Sequence, residues 1–222
     1  MADIFYDLET KELLDTSLED QTMAVRTLHF SVGVSWCECH KEQVFYRSDA
    51  LAEMLLLHDR IIGFGIRFFD NAVLAYQPER SAGDGPRPLP ESPEEFKALL
   101  DSRSFDLQLD LEVRLGYKLS LAALAAATLS KEKQGTAPLG VIWYRLAARL
   151  KQQYAYALRE AGDAEGASRA QELGAYFQDR LERYCASDAQ LARQIFEYGV
   201  ANRRVAFTDF EGERRAIKVD WK

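Results

Sequence analysis

The sequence has few cysteines, no long apolar run and no excess of basic residues, and each shortage excludes a class of protein. Only three cysteines occur in 222 residues, which excludes a disulfide scaffold and predicts a reducing compartment. No segment approaches the about 20 apolar residues of a membrane-spanning helix. The N-terminus also lacks the basic start and apolar stretch of a signal peptide. The sequence therefore predicts a cytoplasmic protein with no membrane partner.

Acidic residues outnumber basic ones and give a formal net charge of −7. This charge argues against broad nonspecific binding of duplex DNA by a basic surface. It does not exclude a phosphate site, because bound divalent cations supply positive charge locally. With 47% hydrophobic residues the chain can bury a full core, and we expect one domain over residues 1–222. Five of the six prolines lie between Pro78 and Pro93, which predicts a surface loop.

An Asp-Leu-Glu triplet follows the first apolar residues of the chain. The apolar residues 4–6 favour a buried strand, and residues two apart in a strand share a face, so Asp7 and Glu9 are expected to project together. Two carboxylates at the end of a buried strand need a compensating cation. Taken alone the pattern is weak, since Asp-x-Glu is common at solvated strand ends.

Two further segments place acidic residues at predicted element boundaries. Asp70 comes between an apolar run at residues 60–65, which predicts a strand, and a short predicted helix at residues 72–76. A plain helix N-cap is the alternative role for Asp70. Tyr184 and Asp188 are four residues apart in a segment with helical periodicity, so they share a helix face. A surface pair or a cap is the alternative there.

These segments, in this order, resemble the three exonuclease motifs of the DEDD superfamily of ribonuclease H-like 3′→5′ exonucleases, here DLE, GFGIRFFD and YCASD. The Tyr four residues before the last Asp is similar to the tyrosine-bearing (DEDDy) branch, as in polymerase proofreading domains. FDLQLDLEVRLGYKLSLAALAAATLSKEKQG, YGVANRRVAF and IKVDW are similar to segments of stand-alone bacterial exonuclease domains. The resemblance leaves out mainly the stretches near 145–180 and 77–93.

The resemblance implies hydrolysis of phosphodiester bonds with two Mg²⁺ or Mn²⁺ ions. Such ions take oxygen ligands, and a pair about 3.5–4 Å apart stabilises both the attacking and the leaving oxygens. By resemblance Asp7 bridges both ions, and Glu9 and Asp188 hold the ion that activates water. Asp70 supports the second ion through water, and Tyr184 orients the nucleophilic water. A phenol with a pKa of about 10 is a poor general base at neutral pH, so activation is expected to depend on the metal.

Five more residues are expected to contact the substrate by resemblance: Leu8, Thr10, Gly65, Phe69 and Lys133. Lys133 could hold a phosphate as a point charge, and a solvated lysine at a helix end is the alternative. Gly65 stands where the family usually has Asn, so an amide that could grip the substrate is missing.

The substrate and partners are expected by resemblance as well. Single-stranded DNA is favoured, and RNA stays open because no residue is assigned to a 2′-hydroxyl. Any polymerase or helicase partner is expected to be a separate chain, because the first strand begins almost at the N-terminus. The alternative function is a catalytically weak nucleic-acid-binding module or subunit that keeps the fold, supported by Gly65 and the acidic composition. A phosphoesterase for other substrates fits the acids but leaves the Tyr-Asp pair unexplained.

The expected architecture is α/β: a ribonuclease H-like mixed five-stranded sheet flanked by helices, with a short C-terminal β extension. The alternating segments 26–36 and 43–46 predict antiparallel strands. A helix is predicted from Ser48 to His58, capped by Ser48, and Ser92 is predicted to cap another. A further strand is expected near residues 105–107.

Residues from about 139 to 184 predict a helical insertion or hairpin, broken near 162–166. Its first arm carries an apolar stripe that predicts packing between helices: Leu146, Leu150 and Tyr154. The sharper hypothesis is that this arm walls a groove for the single strand. Arg145 and Arg149 would then bind phosphates, and Trp143 or Tyr144 would stack on bases.

The segment Cys37-Glu38-Cys39-His40 offers fewer than the four ligands of a structural zinc site, and no second Cys/His pair is nearby in the sequence. We therefore interpret it as a plain turn. The three histidines, His29, His40 and His58, show no evident mutual geometry and are expected to be structural or exposed.

Overall fold

The computed structural model describes residues 2–77 and 89–222, so most of the predicted proline-rich loop lies outside the described residues. The strands are β1 Asp3–Thr10, β2 Phe30–Cys37, β3 Lys41–Phe45, β4 Arg60–Gly63, β5 Ser104–Asp106, β6 Arg204–Thr208 and β7 Arg214–Lys218. The first five form one sheet in the order β3-β2-β1-β4-β5, and β6 and β7 form a hairpin. Strand β2 pairs antiparallel with both β1 and β3, whereas β4 pairs parallel with both β1 and β5. The predicted mixed five-stranded sheet and C-terminal β extension are confirmed.

The helices of the described ranges are α1 Gln21–Arg26, α2 Ser48–Leu56, α3 Asp70–Ala75, α4 Pro93–Arg103, α5 Leu107–Leu115, α6 Leu121–Leu129, α7 Ala137–Tyr156 and α8 Ala164–Asn202. A π-helical turn, Ala157–Ala161, extends α7. Within residues 2–77 and 89–222, every helix is too short or too polar to cross a bilayer.

Strand β1 separates two apolar layers because its side chains alternate between the faces of the sheet. Ile4, Tyr6 and Leu8 are buried in a core formed with α2, α3 and α4. Phe5 is buried on the opposite face, in a core formed with α5, α6 and α8. The alternation therefore turns Asp7 and Glu9 toward the α8 side, the face they share with Phe5.

Two predicted boundaries differ from the structure. The strand expected from residue 26 begins at Phe30, because Asp20 accepts a hydrogen bond from the Met23 N–H at 3.0 Å and starts α1 instead. The prediction that Ser48 caps a helix is wrong, since Ser48 is the first residue of α2 and this helix has no side-chain cap. The predicted cap of α4 is confirmed: the Ser92 hydroxyl accepts from the Glu95 N–H at 3.3 Å.

The predicted helical hairpin is confirmed as α7 packed against α8. The chain reverses at Gly162, whose φ of 62° suits glycine, and the Asp163 carboxylate accepts from the Gly166 N–H to cap α8. Helix α8 then continues unbroken through Tyr184 to Asn202. The insertion and the last motif therefore share one helix.

The C-terminal tail fixes the far end of α8. The Trp221 ring stacks on Phe196 with ring centroids 5.9 Å apart, and its Nε1 donates to Asp110 Oδ2 at 2.8 Å. Trp221 also lies against Gly199, where an added Cβ would approach the indole to 2.2 Å. The tail thus joins α8 to α5 through one buried aromatic side chain.

Replacing Trp221 should show how much this contact contributes. We expect Trp221→Ala to lower the free energy of unfolding by about 3–5 kcal/mol, because a large buried side chain is lost and a cavity remains. Urea denaturation measures the change. Phe210→Ala is the control, since Phe210 is 84% exposed, and its effect should stay below about 1 kcal/mol. Equal effects of the two substitutions would contradict the role of Trp221.

Candidate active site

The predicted acidic residues meet at one edge of the sheet. Strands β1 and β4 are parallel, so Asp7 and Glu9 near the end of β1 lie beside Asp70, which follows β4. Helix α8 contacts β1 and brings Asp188 to the same edge. One carboxylate oxygen from each of Asp7, Glu9 and Asp188 lies within 4.8 Å of the others. The expected convergence is therefore found for these three residues.

Asp70 lies next to this group rather than within it. Its Oδ1 accepts a hydrogen bond from the Leu8 N–H at 3.1 Å, which ties the start of α3 to β1. The N-cap alternative is wrong, because Asp70 is the first residue of α3 and the helix has no side-chain cap. Its charge nevertheless reaches the group, since it raises the pKa of both Asp7 and Glu9.

Two oxygens of the group are buried without a hydrogen-bond partner, Asp7 Oδ2 and Asp188 Oδ1. A buried carboxylate oxygen without a partner is costly, by about 1–3 kcal/mol or more for a charged group. Both oxygens belong to residues that were predicted as metal ligands. Hard oxygen donors without other partners fit a divalent cation such as Mg²⁺ or Mn²⁺.

Burial raises the pKa of Asp7, Glu9, Asp70 and Asp188, and repulsion from neighbouring carboxylates adds to it for the first three. Desolvation is the largest cause for Asp7 and Glu9, followed for both by the charge of Asp188. Burial also raises the pKa of Asp188, and it raises the pKa of Asp70 to about 8. These acids therefore hold protons more tightly than free carboxyl groups do, unless a cation is present.

Lys133 already supplies one positive charge to this group. It lies in the segment between α6 and α7, and its Nζ donates a hydrogen bond to Asp188 Oδ2. The same ammonium lies 5.1 Å from the centre of the Tyr184 ring. It lowers the pKa of Asp7, Glu9 and Asp188, opposing burial in each case. Lys133 is half-buried, so the alternative of a solvated lysine is wrong, while its contact with phosphate stays a prediction.

Tyr184 is buried beside the acids on the same face of α8 as Asp188. Burial and the charges of Glu9 and Asp188 raise the pKa of its phenol well above the ordinary value, so the hydroxyl remains protonated. The Trp143 ring packs edge-on against Tyr184, with centroids 5.9 Å apart. One residue further along α8, the Cys185 thiol donates to the Asp7 carbonyl at 3.3 Å and links α8 directly to β1.

Two residues that the motifs do not reveal also shape this site, Gly140 and Asp106. A Cβ on Gly140 would lie 2.9 Å from Glu9 Oε2 and 3.3 Å from the Tyr184 ring, so only glycine lets α7 approach the acids. Asp106 accepts hydrogen bonds from the backbone N–H of Gly65 at 2.8 Å and of Arg67 at 2.9 Å. An isolated glycine within a helical pattern was the available signal for the first, and nothing local marks the second.

Gly65 has a backbone reason for being glycine. Its φ is 77°, in the left-handed region, and a Cβ would lie 3.1 Å from Gln108 Oε1. The loop after β4 therefore depends on glycine here and on the anchoring by Asp106. That the missing amide affects the grip on the substrate more than the catalysis stays a prediction.

The remaining predicted substrate contacts are packed into the fold. Leu8 is buried in the core, and Thr10 is buried with its hydroxyl donating to the Glu12 carbonyl at 2.7 Å. Phe69 is half-buried against the same core. The side chains of these three residues therefore serve packing, and their contact with a nucleic acid stays a prediction.

The first arm of the hairpin divides its residues between packing and solvent. Its apolar stripe is half-buried, and a Cβ on Gly174 of α8 would lie 3.5 Å from Leu150 Cβ, which supports the packing interpretation. Tyr144 packs against a core cluster near β2, and Arg145 and Arg149 are exposed. Base stacking and phosphate binding by this arm stay predictions.

Comparison of the chain with protein-family models, with curated proteins and with solved structures gave no match.

The raised pKa values predict that stability depends on pH and Mg²⁺ together. A carboxyl group with a raised folded-state pKa stabilises the fold below its ordinary pKa of about 4, and this contribution is lost as pH rises through the folded-state value. Without divalent cations we expect Tm to fall as the pH rises from 5 to 8. The raised pKa of Asp70, about 8, sets the upper end of this range. Added Mg²⁺ should raise Tm more at pH 8 than at pH 6, because it competes with protons.

Differential scanning calorimetry measures both trends. Asp70→Asn is the control, because the amide oxygen can still accept from the Leu8 N–H while the titrating group is gone. This variant should show a flatter fall of Tm with pH. A rise of Tm on adding Mg²⁺ that is the same at both pH values would contradict the linkage.

Proposed function

We propose that this chain is a metal-dependent 3′→5′ exonuclease with a ribonuclease H-like fold, acting on single-stranded DNA, with RNA as a possible substrate. The mixed five-stranded sheet flanked by helices is the architecture that the DEDDy-type resemblance implies. The observation that carries the proposal is the meeting of Asp7, Glu9 and Asp188, which come from opposite ends of the chain. Asp70 stands beside them at the start of α3.

The same acids are the proposed metal ligands. The two buried oxygens without partners, on Asp7 and Asp188, fit cation ligands, and Glu9 completes the group. Asp70 is placed to act at longer range through its charge. When bound, two Mg²⁺ or Mn²⁺ ions supply the electrostatic stabilisation of the oxygens whose charge grows during phosphodiester cleavage.

The other residues at the site position and protect the reacting groups. The Tyr184 phenol stays protonated, so it can orient a water molecule by hydrogen bonding but does not remove a proton from it. Trp143 packs against Tyr184, and the lack of a side chain at Gly140 lets α7 approach both Tyr184 and Glu9. Lys133 can release Asp188 when a divalent cation binds and then meet a substrate phosphate as a point charge.

Digestion of end-labelled oligonucleotides tests this proposal. Single- and double-stranded DNA and RNA, labelled at the 3′ or 5′ end, are incubated with the protein and Mg²⁺ or Mn²⁺. We expect metal-dependent shortening from the 3′ end, fastest for single-stranded DNA. Asp188→Asn should reduce the rate by roughly 100-fold or more, because the site loses one of the negative charges proposed to hold the metal ions.

Asp179→Asn is the matched control for this experiment. Asp179 lies on the same helix, its side chain is 49% exposed, and it pairs with Arg183 at 2.9 Å. Its substitution should leave the rate within about twofold, since surface ion pairs contribute little. A loss of activity that is equal in both variants would point to damage to α8 rather than to a role of Asp188.

Tyr184→Phe separates the orienting role from metal binding. We expect the rate of cleavage to fall by about tenfold, because the hydrogen bond that orients the water is lost. The rise in Tm on adding Mg²⁺ should stay, since the acids are unchanged. Full activity of Tyr184→Phe would remove this residue from the reaction.

The competing function is a catalytically weak nucleic-acid-binding module or subunit. One observation favours it: the Lys133 ammonium already occupies Asp188 Oδ2, so a cation has to displace it. Under this alternative the protein retains single-stranded DNA without shortening it, and Mg²⁺ does not change Tm. The digestion and calorimetry experiments therefore distinguish the two functions.

A further inference from the structure

Four metal-binding side chains converge at the opposite end of β1, away from the acidic group. Cys37 ends β2, Cys39 and His40 lie in the turn before β3, and His58 follows α2. Their ligand atoms, two thiol sulfurs and two imidazole nitrogens, lie within 4.8 Å of one another. The expectation that His40 and His58 lack mutual geometry is therefore wrong, and the turn gains a fourth ligand from a distant part of the sequence.

The spacing of these atoms fits a tetrahedral ion. The Cys37 and Cys39 sulfurs are 3.2 Å apart and lie 3.3 and 3.2 Å from His40 Nδ1. Cys39 Sγ lies 3.9 Å from His58 Nε2. A zinc ion has Zn–S distances of about 2.3 Å and Zn–N distances of about 2.0–2.1 Å, so its ligand atoms lie about 3.3–3.8 Å from one another. The three sulfur–nitrogen distances lie on either side of the about 3.6 Å that these bond lengths imply, whereas the two sulfurs, 3.2 Å apart, have to separate by about 0.5 Å to reach the about 3.8 Å of two zinc-bound thiolates.

His58 is held in the orientation that a metal ligand needs. Its Nδ1 lies 3.0 Å from the Met54 carbonyl in the last turn of α2, where it donates a hydrogen bond. This bond fixes the tautomer and leaves the Nε2 lone pair facing the sulfurs. His58 is only 3% exposed and Cys37 only 1%. The two buried side chains belong to different parts of the fold, and the exposed pair, Cys39 and His40, lies on the solvent side of the group.

The chemistry of the donors selects the ion. Two thiol sulfurs with two imidazoles form the Cys₂His₂ set of structural zinc sites, and four protein ligands leave no open position for catalysis. The two sulfurs do not form a disulfide, because an S–S bond is about 2.05 Å long and the sulfurs are 3.2 Å apart.

We propose that Cys37, Cys39, His40 and His58 bind one structural zinc ion that fastens the β2–β3 turn to the end of α2. Binding releases the protons of the two thiols, because zinc is held by thiolates. The zinc ion would stabilise strand β3 most. It is the edge strand of the sheet, and all its residues are exposed or half-buried, so side-chain packing holds it weakly. Zinc would close the loop that contains β3 and α2.

Metal analysis of the full chain, purified with zinc and Mg²⁺ in the buffer and then dialysed against Mg²⁺ alone, tests the site. We expect about one zinc per chain, as for a closed four-ligand site. Cys39→Ser and His58→Gln should each lose most of this zinc. His29→Gln is the matched control, since His29 is an exposed histidine paired with Glu12 outside the group. Asp7→Asn should also keep its zinc, which excludes binding at the acidic group.

Cobalt substitution gives a readout that does not depend on the variants folding. Co²⁺ replacing zinc in the unaltered protein should give the thiolate charge-transfer absorption and strong visible bands of a tetrahedral sulfur site. A zinc-selective chelator, with Mg²⁺ in excess, should lower Tm by about 5 °C or more in the unaltered protein and in His29→Gln. It should leave Tm unchanged in Cys39→Ser, which has no zinc to lose.

Three results would overturn the site. The first is the absence of zinc after reconstitution, together with a cobalt spectrum that lacks thiolate bands. The second is zinc content in Cys39→Ser and His58→Gln equal to that of His29→Gln. The third is a Cys37–Cys39 disulfide in the protein purified under reducing conditions, detected as a mass lower by the two thiol hydrogens.

Discussion

Like-charged carboxyl groups are held together at one edge of the sheet although burial and repulsion both oppose their ionisation. Strand β1 cannot turn them away, because Tyr6 and Leu8 alternate with Asp7 and Glu9 and are fixed in the core on the other face. A slip of one residue would exchange the faces and bury the charges among aliphatic side chains. The register of β1 therefore maintains the raised pKa values of Asp7 and Glu9.

Helix α8 lies beside this end of β1, and contacts both next to the acids and far from them fix its position. The Cys185 thiol ties it to the Asp7 carbonyl, and Trp221 packs on Gly199 more than two turns beyond Asp188. Because α8 is continuous between these points, the contact with the tail and the contact with β1 act on the same helix. The geometry of the acidic group is thus a property of the whole helix, including the segment that forms the second arm of the hairpin.

Sequence periodicity was sufficient wherever the relation between residues was local. A period of two placed Asp7 and Glu9 on one face, and a spacing of four placed Tyr184 beside Asp188. Periodicity failed where residues meet only in the folded chain. His58, which follows α2, joins the group of Cys37, Cys39 and His40. Asp106 anchors the Gly65 loop from another strand, with no local pattern to reveal it. The outline of the sheet followed from the periodicity, and the meeting of the distant acids was expected from the resemblance, whereas the other long-range contacts could not be predicted.

The ion pair between Lys133 and Asp188 has a consequence for which ions can enter the acidic group. The ammonium is tethered, so an incoming ion competes with a neighbour whose effective concentration is roughly millimolar or higher. A sodium or potassium ion brings no more charge than the group it displaces, whereas a divalent ion brings twice as much. Under the proposed function, Lys133 would therefore favour divalent over monovalent cations at the acidic group.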